Sequence, residues 1–188
     1  MTAPAKERGR RIPRKVTPAR LESKALAYLE RHGGTSASLR RVLRNMVSRA
    51  ARVHDTDTEE TAGWIEALIA RYEAAGLLDD AAFAEGRARR LHRRGASARR
   101  IRAALAAKGI APETAAAAVA RLAEETPEPE LAAALAHARR RRIGPYRGAA
   151  GREDNWRRDM GVLARAGFGY DIARRVMDAN SPEDLEED

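Results

Sequence analysis

The sequence predicts an all-α protein assembled from small helical units in tandem. Apolar residues recur at helical spacing along most of the chain, and no stretch alternates as a strand would. Large apolar residues are scarce: Phe 2, Trp 2, Tyr 4 and Met 4 in 188 residues, so alanine carries much of the 44% hydrophobic fraction. Alanine packs helices closely but builds no large single core. The helical stretches are also punctuated by Gly, Pro and capping residues at similar offsets, which points to internal repetition.

Residues 1–16 hold six basic residues, one acid and two prolines, a composition expected to form a mobile basic tail. Thr17-Pro18 then supplies a cap followed by proline at the first helical position, opening a helix with Leu21, Ala25, Leu26 and Leu29 that stops at Gly33-Gly34. Thr35 caps a second helix carrying Leu39, Val42, Leu43, Met46 and Val47. After an acidic break at 55–60, Thr56 and Glu59 are spaced as a capping box for a third, with Trp64, Ile65, Leu68, Ile69 and Tyr72, ending at Gly76.

The stretch 76–110 is the centre of the chain. Asp79 or Asp80 can cap a helix with Ala84, Ala88 and Leu91 on its inner stripe, closed by Gly95. Ser97 caps the next, with Ile101, Ala104 and Leu105 inside and Gly109 as its left-handed stop. Most of the rest is arginine. Arg89 and Arg93 share one face, Arg90 and Arg94 the adjacent one, and Arg99 and Arg102 sit three apart with Arg100 beside them. Two short helices thus present a basic surface.

Pro112-Glu113 starts an alanine-rich helix with Val119 and Leu122. Thr126-Pro127-Glu128-Pro129 is the strongest breaker and the best candidate boundary in the chain. A helix with Leu131, Leu135 and Ala138 follows and runs into Arg139, Arg140, Arg141 and Arg142. Ile143-Gly144-Pro145 stops it, and 144–152 reads as a loop. One more helix carries Trp156, Met160 and Leu163 to Gly167, and the last carries Ile172, Ala173, Val176 and Met177 to Asn180.

Aligned on itself with a shift of about 60 residues, the chain brings Gly33, Thr35, Leu39 and Leu43 onto Gly95, Ser97, Ile101 and Leu105. It likewise brings Leu105, Gly109 and Ile110 onto Leu163, Gly167 and Phe168. Three three-helix units are therefore expected at 17–76, 77–125 and 128–179, flanked by the basic tail and by an acidic tail over 180–188.

Composition narrows the partners. Lys plus Arg total 36 against 27 Asp plus Glu, for a net charge of +9, and only Lys6, Lys15, Lys24 and Lys108 are lysine. Arginine grips phosphate and carboxylate with a planar fork, so polyanions and acidic protein surfaces are the expected partners. The absence of cysteine excludes disulfides, thiol nucleophiles and Cys-based metal sites. No phosphate-binding Gly-rich motif, Ser-His-Asp set or metal-ligand spacing is present, and His32, His54, His92 and His137 are scattered. An enzyme, a cofactor and a bound metal are not expected. With no apolar signal core and no run able to span a bilayer, a cytoplasmic protein is.

Gly76-Leu77-Leu78-Asp79-Asp80-xx-Phe83-Ala84, Arg94-Gly95 and Ile101-xxx-Leu105-xx-Lys108-Gly109-Ile110 together resemble the RecX family of recombination regulators. The distal Leu163-Ala164-Arg165-Ala166-Gly167-Phe168-x-Tyr170-Asp171-Ile172 is similar to that family's third repeat. The resemblance covers about residues 20–180, with an extension at 50–60 and with Ala166 where a basic residue is expected. It implies three tandem three-helix repeats forming an elongated, curved molecule. It also implies a monomer that binds the RecA filament on single-stranded DNA and lowers its ATP hydrolysis and strand exchange. Arg89, Arg90, Arg93, Arg94, Arg99 and Arg102 are the first candidates for filament or DNA contact, and Arg139 to Arg142 the second. Contact with single strands, and more weakly with duplex, would run through phosphates. The competing expectation is an autonomous nucleic-acid binder, since two short helices about a Gly turn imitate a helix-turn-helix. The second of these helices lacks Asn, Gln, Ser or Thr beyond its cap, which favours backbone contact over base reading.

Overall fold

A computed structural model describes residues 13–148, 151–181 and 184, and every regular element among them is helical. The chain forms two compact units, one ending at Leu78 and the other beginning at Asp79.

The first unit contains α1 (Pro18–His32), α2 (Ser36–Ala50) and α3 (Thr58–Ala74). Thr17 Oγ1 accepts the Arg20 N–H at 3.4 Å and Thr35 Oγ1 accepts that of Ser38 at 3.1 Å, so the predicted caps are made. The cap of α3 is Asp57, whose Oδ1 accepts the N–H groups of Glu59 and Glu60 at 2.9 Å each. It replaces the expected capping box, because a carboxylate one residue nearer the helix satisfies two open donors at once. Leu21, Leu39, Leu43, Ile65 and Ile69 fill the core. Each such burial is worth roughly 1.5–3 kcal/mol against exposure.

The tail expected over 1–16 is shorter on the inner side. Residues 1–12 lie outside the described residues, but Val16 is buried and packs in the same core as Leu21. These two flank the Thr17 cap as a hydrophobic staple. His54 Nε2 also holds the Pro13 carbonyl at 2.6 Å, so the extension after α2 pins the chain just before α1.

The second unit holds two cores. Around the first lie α4 (Asp80–Arg93), α5 (Ala98–Ala106), α6 (Pro112–Ala120) and α7 (Leu122–Glu125), with Ala84, Ala88, Ile101, Leu105, Ala115 and Leu122 buried together. The helix expected to carry both Val119 and Leu122 is interrupted by a turn at Arg121. Around the second lie α8 (Pro129–Arg141), α9 (Arg152–Ala166) and α10 (Tyr170–Asp178), with Leu131, Leu135, Leu163, Phe168, Val176 and Met177 inside. The stretch expected as a loop over 144–152 contains a short 3-10 turn, Gly144–Tyr146. Arg147 leaves that turn to form two 2.9 Å bonds to the Asp159 carboxylate, itself 1% exposed.

The breaker at 126–129 lies between the two cores of the second unit. Glu128 sits in the left-handed region (φ 43°) and is held there by two bonds from Arg175, at 2.5 and 3.0 Å. The chain turns sharply at this point and α8 packs back against α4. The two compact units divide at Leu78/Asp79. Of the expected acidic tail, residues 182–183 and 185–188 lie outside the described residues. Asp184 folds back to accept the N–H groups of Asn180 and Ser181.

Candidate functional site

The internal repeat has a structural counterpart. Leu39, Leu43, Ile101 and Leu105 are all fully buried, and Thr35 and Ser97 are both N-caps. Helices α4, α5 and α9 end alike: Gly95, Gly109 and Gly167 take positive φ, and the next N–H reaches back to Leu91, Leu105 and Leu163 at 3.1–3.2 Å. This is the geometry of a Schellman cap. Helix α8 ends the same way with Arg142 in the glycine position (φ 54°), and Ile143 N–H bonds the Ala138 carbonyl at 3.1 Å.

Two of these turns join the two cores of the second unit. A Cβ on Gly95 would lie 2.5 Å from the His137 backbone nitrogen, so the α4–α5 turn rests directly on the α8 backbone. A Cβ on Gly167 would lie 2.6 Å from Ser97 Oγ and 2.9 Å from Arg99 Nε. Ser97 caps α5 and its hydroxyl donates to the Ala166 carbonyl at 2.8 Å. Glu130 accepts the Ala98 N–H at 3.0 Å, and His92 Nε2 holds the Pro129 carbonyl at 2.6 Å. Ala166 is buried in this joint, which is why a long basic side chain has no place there.

The candidate arginines divide by what they touch. Arg89 faces inward to acids, at 2.8 Å from Glu125 and 4.0 Å from Glu85, and Glu85 also takes Arg121 at 3.0 Å. Arg89 is therefore spent largely on tying α4 to α7. Arg90, Arg93, Arg94, Arg99 and Arg102 are exposed, as are Arg139, Arg140, Arg141 and Arg142. None of these nine pairs with a carboxylate among the described residues.

Four arginines meet in one place. Arg94 and Arg100 on one side, Arg140 and Arg141 on the other, line an open cleft of about 480 Å³ between the α4–α5 turn and α8. Arg140 Nη1 donates to the Arg94 carbonyl at 2.6 Å, and Arg100 Nη2 to the Arg165 carbonyl at 3.1 Å. Each bond fixes a guanidinium while leaving most of its five N–H donors open. His137 lies at the cleft, 8% exposed, its Nδ1 on the Gly95 carbonyl at 3.2 Å and its ring edge-on to Phe168 at 5.8 Å. A carbonyl only accepts, so Nδ1 carries the proton. Burial holds the imidazole pKa below its ordinary value; the Gly95 bond opposes this, and Arg100, Arg141 and Arg140 add to it.

Sequence reasoning singled out Arg94, Arg140 and Arg141 but not Arg100 or His137 as members of one site. The i, i+4 spacing groups residues along one helix, and this cleft is assembled across the joint between two repeats. The available signal was Gly95, whose close approach to α8 brings the two arginine groups together.

Among the described residues no group of His, Asp and Glu is arranged to hold a metal, and no helix is long and apolar enough to cross a membrane. Comparison with known proteins places this arrangement. Residues 79–119 match the family model described as RecX, second three-helix domain. The chain is 43% identical over 176 residues to the regulatory protein RecX of Myxococcus xanthus (strain DK1622), covering 93% of each chain. It is 39% identical over 106 residues to the regulatory protein RecX of Agrobacterium fabrum (strain C58), covering 56% of this chain and 54% of the relative. No solved structure gives a significant match. With three-helix cores repeated along the chain and a relative matched over nearly its whole length, the chain belongs to the RecX family of regulatory proteins.

Proposed function

We propose that this chain regulates homologous recombination by binding the RecA filament on single-stranded DNA and inhibiting its ATP hydrolysis and strand exchange. The observation that carries the reading is the set of exposed arginines on α4, α5 and α8 that no carboxylate of the described chain neutralises. Uncompensated guanidinium groups repel one another in the free protein, and a polyanionic partner relieves that cost. Their spread over two repeats suits a partner that repeats as well. Several weak contacts made together gain through effective concentration, so tight binding needs no single dominant residue. A protein that bridges neighbouring protomers holds them in one relation and resists the rearrangement that hydrolysis and strand exchange require. On this reading the chain acts as a non-catalytic monomer in the cytoplasm.

The test is DNA-dependent ATP hydrolysis by a RecA recombinase, titrated with this protein at fixed moderate salt beside DNA-only binding controls. Inhibition at protein amounts well below DNA saturation is expected. Inhibition that appears only once the protein coats free DNA would make the chain an autonomous nucleic-acid binder and overturn the reading.

A further inference from the structure

The cleft between the α4–α5 turn and α8 is a built feature. Gly95 has to be glycine for the two walls to meet, since its Cβ would fall 2.8 Å from the His137 Cα and 2.9 Å from the Ala133 carbonyl. Arg100 and Arg140 are steered by backbone carbonyls, those of Arg165 and Arg94, so their orientation does not depend on an acidic partner. Arg94 and Arg141 complete the rim, and no acid lines it. Glu130, ten positions before Arg140, accepts the Ala98 N–H and does not line the cleft. The result is a recess lined by four arginines together with Leu91 and Ala96.

We propose that this cleft is the seat for the sugar-phosphate backbone of single-stranded nucleic acid, with Arg94, Arg100, Arg140 and Arg141 gripping successive phosphates. The inference rests on the filament reading above and gives one part of the arginine surface a ligand of its own. Three observations favour a strand over an acidic protein surface. The recess, at about 480 Å³, falls within the size range of roughly 300–1,000 Å³ that takes small molecules, and so admits a nucleotide unit. Four planar forks exceed what one carboxylate can accept, whereas a strand delivers phosphates in series. The apolar walls match a sugar, and the exposed Arg90, Arg93, Arg99 and Arg102 remain outside the cleft for other contacts. Contact through phosphates carries no base information, so a seat that works in this way is indifferent to sequence.

The discriminating experiment compares the full chain with two charge-matched double variants. Arg94→Gln with Arg141→Gln removes two cleft guanidiniums whose own side chains make no bond to the described chain, so the joint stays intact. Arg157→Gln with Arg158→Gln removes two exposed arginines of α9 that lie outside the cleft. Binding of a fluorescently labelled oligothymidylate is followed by anisotropy across a salt series, with thermal melts confirming folding. The cleft variant should lose at least about tenfold in affinity, as two charge-assisted contacts are worth. Its log–log salt slope should flatten by about 1.4, as expected for two lost single-strand phosphate contacts. The α9 variant should change each far less. The His137 imidazole resonances should move when the strand binds the native chain.

Equal losses in the two variants would reduce the cleft to general charge and overturn the proposal. If the cleft variant binds the oligonucleotide normally but no longer inhibits filament ATP hydrolysis, the seat takes acidic protein instead; the strand assignment falls while the filament reading stands. If the native chain inhibits no filament yet the cleft variant still loses strand affinity, the filament reading falls and the seat survives.

Discussion

At the scale of single residues, arginine does three different jobs in this chain, and composition alone does not separate them. Arg147 and Arg152 are structural: the first bonds the buried Asp159, and the second bonds the Asn180 carbonyl at 2.8 Å and the Pro145 carbonyl at 3.2 Å. Arg89 and Arg121 tie α4 to the end of the second repeat through Glu85 and Glu125. Arg90, Arg93, Arg99 and Arg102 pair with no carboxylate among the described residues. Before the fold is known these roles look alike, because partners 7 to 36 positions away along the chain decide between them. His137 is the residue whose chemistry sequence reading could not reach, since its burial and its arginine neighbours come from three elements. Its folded pKa lies below the ordinary value of 6.5, so below that pH the unfolded chain binds the extra proton more readily than the folded one. Stability of the second unit should therefore be full above about pH 6.5 and fall on acidification through the folded pKa. Glu66, lowered by its bond from Arg40, and Glu128, lowered by its bond from Arg175, lose their contributions only in the carboxylate range, at lower pH. Denaturant melts between pH 7.5 and 5.5 check this. The slope should flatten in His137→Asn, which keeps a donor for the Gly95 carbonyl but does not titrate.

At the scale of elements, the helices were largely legible because their ends are written locally. Thr17, Thr35, Asp79 and Ser97 cap where the sequence places them, and Gly33, Gly95, Gly109 and Gly167 stop the helices they follow. The exceptions have physical causes. Asp57 displaced the Thr56 cap because its carboxylate reaches two N–H groups, and Arg142 stands in a left-handed position that favours glycine. The joint between the second and third repeats was not legible, since its closest contacts link Gly95 to α8 and Ser97 to Ala166, 69 positions along the chain. That joint gives the clearest stability prediction. Gly95→Ala places a Cβ against the α8 backbone and forces a left-handed alanine, and should cost about 3 kcal/mol or more. Hydrogen exchange should show the loss in α4–α6 and α8–α10 together, while α1–α3 keep their protection. Loss confined to α4 and α5 would mean that the two cores are not coupled there.

At the scale of the whole molecule, the class and the repetition were legible and the grouping was not. Three small cores follow from alanine-rich helices that cannot sustain one large core, and each forms around its own trio of main helices. The Pro-rich breaker at 126–129 lies between the second and third cores, and the compact units divide at Leu78/Asp79. The candidate site followed the same pattern: the basic helices were evident from periodicity, and the cleft was not, because it needs two repeats to form. Functionally, the central claim is that arginines on the second repeat, left without acidic partners, meet the recombinase filament. The most direct measurement is inhibition of filament ATP hydrolysis by a variant with Arg90, Arg93, Arg99 and Arg102 all changed to Gln, its helicity confirmed by circular dichroism. At least about tenfold more protein should be needed for half inhibition, the loss expected when several spaced charge contacts are removed together. Unchanged inhibition by a folded variant would contradict the claim.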